Sequence, residues 1–174
     1  EFSLIGKTIL QKVFREYGKA FRSMFVFNKM LYNKHLPPID IAFHVRHHKF
    51  NGHEEHLDAM LKHSSQHMKR PCNAFVASDR ISTLLYAKRQ NYICNIHTLD
   101  RTIAEQDRLS YKQINVNHGD FRELFMKELT VFENAKIVYG TYDSSSSELA
   151  LSIAVSRKEA DIYMCTENSC TEQK

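Results

Sequence analysis

Two adjacent prolines, followed by apolar residues at every second position, constrain this chain more than any other stretch. Pro37-Pro38 stop whatever helix precedes them. Ile39, Ile41, Phe43 and Val45 then alternate with Asp40, Ala42 and His44. So short and largely apolar a run reads as a strand buried in a sheet. It ends in His44-Val45-Arg46, which sets polar groups at the carboxyl end of a core strand. In open α/β sheets, ligands bind just outside those strand ends. An arginine there has a planar fork that can hold a phosphate through two hydrogen bonds. The plainer alternative is that Arg46 caps the strand or pairs with an acidic neighbour.

The rest of the chain alternates between two periods. A leading helix is predicted over 3–36, with Ile5, Ile9, Val13, Tyr17, Phe21, Phe25 and Leu31 at roughly helical spacing. A second helix is predicted over 53–69, with Leu57, Met60, Leu61, Ser64 and Met68 facing inward. Others follow over 81–90, over 120–134 and from the serine run 144–147 onward. Short strands are predicted over 73–77, 92–96, 136–139 and 161–164. Residues 98–117 are polar and poorly periodic and read as a long excursion, of a kind that is often functional. Strands alternating with helices predict an α/β fold: a Rossmann-like, mainly parallel sheet flanked by helices, with right-handed crossovers. The chain reads as a single domain over 1–164 and a loose C-terminal tail over 165–174.

Composition narrows the function classes. With 174 residues the chain can bury a sizeable core. Its 24 basic and 20 acidic side chains leave a net charge of +4 without a long basic run, so nucleic-acid binding is not implied. A small phosphate-bearing ligand is compatible with that charge. No apolar stretch is long enough to span a membrane. The chain opens Glu1-Phe2-Ser3, with no signal-peptide pattern and no methionine, and so reads as a processed protein or a piece of a longer one. Cys72 and Cys94 read as small buried hydrophobes. Cys165 and Cys170 are close enough for a small disulfide loop or for none. The redox compartment is left open.

Three polar groups then fall at the carboxyl ends of three strands: His44 with Arg46, Ser78 with Asp79, and Ser144 to Ser147. The serine run also opens a helix, whose free N–H groups and partial positive charge suit a phosphate. Asp79 could accept hydrogen bonds from a base or sugar edge. Each has a plainer reading: a serine at a helix start is usually a cap, and Asp79 is itself an expected N-cap. Their coincidence on one sheet edge favours a nucleotide or sugar-nucleotide site. A rival lies in His53, His56, His63 and His67, of which the last two are four apart, a workable metal pair. A solvated histidine stripe is the plainer account of them. There is no Gly-x-Ser-x-Gly elbow for a hydrolase, no Gly-x-Gly-x-x-Gly and no Walker loop.

Three motifs occur in order: Pro-x-Ile-x-Ile-x-Phe-His-Val-Arg, then Ala-Phe-Val-Ala-Ser-Asp before a helix, then Ile-Val-Tyr-Gly-Thr-Tyr-x-Ser-Ser before Leu-Ala. Together they resemble the carboxyl-terminal, donor-binding half of fucosyltransferases of the α-1,6 and protein O-fucosyl type, over roughly residues 10–157. The resemblance implies one half of a GT-B glycosyltransferase fold that binds GDP-fucose without a metal or other cofactor and transfers fucose to a glycan or protein acceptor. It implies that Arg46 holds the β-phosphate and stabilises the leaving diphosphate. It assigns His44 and Asp79 to the guanosine, and Thr141, Ser144 and Ser145 to the phosphates. Where the α-1,6 type has a second arginine and an acidic residue, this chain has His47 and His48. His47 can still donate to a phosphate when protonated. The resemblance also implies a second Rossmann-like half, absent here, and a place in the secretory pathway, in the Golgi or endoplasmic reticulum lumen. A chain with one half is a fragment of the enzyme, one part of a complex, or a nucleotide-binding or scaffold module that no longer transfers.

Overall fold

Six strands form one sheet: β1 (Ile41–Val45), β2 (Asn73–Ser78), β3 (Asn95–His97), β4 (Ile137–Thr141), β5 (Asp161–Cys165) and β6 (Cys170–Glu172). Their order across the sheet is β3-β2-β1-β4-β5-β6. The first five run parallel, and β6 pairs antiparallel with β5. The fold is therefore the α/β, mainly parallel arrangement that the alternating pattern predicts. The computed structural model describes residues 12–20, 36–46, 54–99, 118–157 and 160–173. Five helices flank the sheet within them: α1 (12–20), α2 (Glu55–Ser64), α3 (Ile81–Arg89), α4 (His118–Asn134) and α5 (Ser145–Arg157).

The strand pleat sorts the core into two layers. Ile41, Phe43 and Val45 of β1 join Ala74, Val76, Tyr139 and Tyr163 under α2 and α3, with Leu57, Met60, Leu61 and Leu84 closing that layer. Ala42, Phe75, Ala77, Val138 and Ile162 point the other way, against Leu129 and Phe132 of α4 and Ala150, Ile153 and Ala154 of α5. Strands covered on both faces read as near-continuous apolar runs, which is why they were legible. Asp40 ties the entry ends together. Its carboxylate accepts the Asn73 N–H at 3.1 Å and the Lys136 ammonium at 2.8 Å. Its backbone carbonyl accepts from Lys136 and Ile137.

Several elements differ from the sequence reading. On α1 the buried residues are Phe14 and Gly18, while Val13 and Tyr17 are exposed. A Cβ at Gly18 would collide with the Ser152 carbonyl of α5, so the glycine lets two helix backbones meet and turns the helix by one position. The rest of the predicted leading helix, with Ile5, Ile9, Phe21, Phe25 and Leu31, lies outside the described residues, as does most of the 98–117 excursion. Helix α2 stops five residues early. The N–H groups of Gln66 and His67 bond three residues back, to His63 and Ser64, which tightens the chain into a turn. Met68, expected inside the helix, is partly buried beyond its end.

The cysteines also differ. Cys72 and Cys94 form a disulfide rather than standing as separate small hydrophobes. Asn73 and Asn95 are paired in the parallel ladder, so the residues just before them lie side by side. Strand β3 consequently starts at Asn95, after the bridge, and not at residue 92. Residues 165–173 are not a loose tail. Cys165 and Cys170 are cross-strand partners and disulfide-bonded, and the intervening turn folds β6 back along β5.

Candidate functional site

The strand order places a switch at β1. From it the chain moves outward through β2 and β3, then returns to add β4 and β5 on the other side. The crevice outside the carboxyl ends of β1 and β4 is where doubly wound sheets take ligands. His44 and Arg46 lie at the end of β1, Ser78 and Asp79 at the end of β2, and Thr141 with the serine run at the end of β4. His47 lies outside the described residues.

The ends of β1 and β4 are held together by side chains where the main-chain ladder stops, at the pair His44 and Gly140. The Thr141 hydroxyl accepts the Arg46 N–H at 3.0 Å and donates to the His44 carbonyl at 3.3 Å. Thr141 is fully buried, so its hydroxyl serves this junction. Asp143, at φ 58°, then bends the chain into α5, a conformation aspartate tolerates better than most residues. Ser144 is the cap of α5: its Oγ accepts the Ser147 N–H at 3.3 Å. Ser145 is exposed at the helix start. The first N–H groups of a helix have no partner within it, and the dipole adds positive potential there.

Arg46 is half-buried. Its Nη1 lies 3.2 Å from Asp79 Oδ2 across the ends of β1 and β2. Asp79 is not the cap of α3. That position falls to Arg80, which makes no side-chain cap. Instead Ser78 Oγ accepts the Arg80 N–H at 3.2 Å and turns the chain, leaving the Asp79 carboxylate directed at Arg46. The plainer readings of Arg46 and Ser144 thus both hold in part: one pairs with an acid, the other caps.

Ser147, the last of the serine run, was given no role of its own from the sequence, yet it joins His44 to Thr141. It is fully buried, with Oγ 2.8 Å from His44 Nδ1 and 3.1 Å from the Thr141 nitrogen. His44 is itself buried, its ring 5.8 Å from that of Phe132. The signal for Ser147 was weak: a fourth serine in a run, distinguished only by falling one helical turn inside, on the face toward the sheet.

The histidine stripe has another use. His63 Nδ1 is 2.9 Å from the Tyr139 hydroxyl, and its ring packs on Tyr163 and His67 at 5.0 and 5.1 Å. Burial, then the nearby His67, lowers the His63 pKa. Among the described residues no group of three histidine, cysteine, aspartate or glutamate side chains is arranged to hold a metal ion. His53 lies outside them.

Fold and site together define a doubly wound α/β domain with an arginine, a carboxylate and a serine-capped helix start around its switch-point crevice. No protein-family model matches the chain, and no curated protein sequence matches it. Among solved structures it is similar to a crystal structure of NodZ alpha-1,6-fucosyltransferase soaked with GDP-fucose. The two share 13% identity with a TM-score of 0.48, over 91% of this chain and 47% of that one. The chain thus spans about half the length of that protein.

Proposed function

We propose that this chain is the donor-binding half of a fucosyltransferase-like glycosyltransferase and takes GDP-fucose at the ends of β1, β2 and β4. One observation carries the reading: Arg46, Asp79 and the capped start of α5 converge on the crevice at the switch point of a parallel sheet. The motif order that resembles the fucosyltransferases falls on these same strand ends. Arg46 supplies a full positive charge, and the first N–H groups of α5 with the exposed Ser145 supply donors. Transfer of the sugar builds negative charge on the leaving diphosphate, and fixed donors aimed at it lower the barrier. With the arginine in that place, the reaction proceeds without a metal. Asp79 orients the guanidinium through its ion pair, and the family resemblance assigns it to the nucleoside. The acceptor and the rest of the cleft belong to a second Rossmann-like half. Two disulfides suit an oxidising compartment, which supports a place in the secretory pathway.

In the full-length protein, Arg46→Ala should abolish fucose transfer from GDP-fucose, assayed with chelator present. Full activity in that variant would remove the assignment. GDP-fucose binding with no transfer in the unaltered protein would leave a binding module.

A further inference from the structure

Ser147 has a fixed hydrogen-bonding duty. Its Oγ lies 3.1 Å from the Thr141 backbone nitrogen, and a backbone N–H can only donate. Ser147 therefore accepts there. Its own hydroxyl hydrogen is buried and needs an acceptor. His44 Nδ1, at 2.8 Å, is that acceptor. A proton on Nδ1 would bring a second donor to the same oxygen and strand the hydroxyl hydrogen in the core. The hydrogen bond at one ring nitrogen decides which nitrogen carries the proton.

We infer that Ser147 is a positioning residue that holds His44 as the Nε2–H tautomer, with Nδ1 kept as the acceptor of the Ser147 hydroxyl. Gly140 makes room for this arrangement. A Cβ at that position would stand 2.9 Å from the Ser147 Cβ, closer than real neighbours come. Phe132 packs beside the imidazole at 58° and restricts its rotation. The tautomer follows from the Ser147 hydrogen bonds and does not rest on the proposed function.

The test is a long-range proton–nitrogen correlation spectrum of the histidine-labelled protein at about pH 8, above the usual histidine range. His44→Gln identifies the signals. His44 should show the Nε2–H pattern in the unaltered protein, and Ser147→Ala should release it to a mixture of tautomers. An Nδ1–H pattern in the unaltered protein would overturn the inference without any variant. So would an undiminished Nε2–H preference in Ser147→Ala. GDP added to the same sample separates the two claims. Absence of GDP binding, with the Nε2–H tautomer intact, would refute the nucleotide reading and leave the role of Ser147 standing.

Discussion

His63 has two neighbours that disfavour its charged form. It sits against the layer of Tyr139 and Tyr163, and His67 lies beside it. While His63 is neutral, Nδ1 can accept the proton of the Tyr139 hydroxyl, which is fully buried. Protonating Nδ1 reverses that bond and leaves the hydroxyl to find another acceptor. The folded-state pKa is lowered, by burial first and by His67 second. The unfolded chain therefore takes up the proton first as pH falls. The stability due to neutral His63 is complete above the ordinary histidine value of about 6.5, and it is lost as pH drops from there toward the lower folded value. The denaturant midpoint should fall between about pH 7.5 and pH 5.5, and His63→Gln should fall less over the same interval. Equal falls in the two proteins would contradict this role. The sequence presents His63 as one of a stripe, because spacing on a helix says nothing of the strand beneath it.

At the scale of elements, the junction of β4 with α5 is the most demanding part of the fold. Gly140 ends the β1 ladder, and a Cβ there would collide with the Leu151 side chain and crowd Ser147. Gly140→Ala should cost about 1–3 kcal/mol, as overpacking of a core does. It should also weaken nucleotide binding, because it displaces Ser147 and with it His44. Chemical denaturation beside a GDP titration checks both. An alanine variant as stable as the parent would mean that α5 shifts freely. The same junction shows what could be read in advance. Leu149, Ala150, Ile153 and Ala154, chosen by helical spacing, are all buried in one layer. Ser144, Ser145 and Thr141 were chosen by chemistry, and they do lie at this corner. That Ser144 caps is a local matter, but that Thr141 bridges depends on atoms of β1 nearly a hundred residues away, which no local pattern records. The first helix shows the opposite failure. Val13 and Tyr17 fit an apolar stripe, but close contact at Gly18 rotates them outward.

Across the whole molecule, the parallel α/β sheet was legible because β1, β2, β4 and β5 are short, largely apolar runs and helices alternate with them. The disulfides were less so: Cys165 with Cys170 was left open and Cys72 with Cys94 was not read, because they follow from the hairpin pairing of β5 with β6 and the ladder register of β2 with β3. Register is a property of the assembled sheet. The central claim is likewise one of assembly: three strand ends, distant in sequence, make one phosphate-binding corner around Arg46. Calorimetric titration of GDP and GDP-fucose, with and without EDTA, into the unaltered protein and Arg46→Ala tests it directly. The account predicts binding that EDTA leaves unchanged and that weakens about a hundredfold or more in the variant, about 2.7 kcal/mol. Equal affinity in the two proteins, or no binding to either, would contradict it.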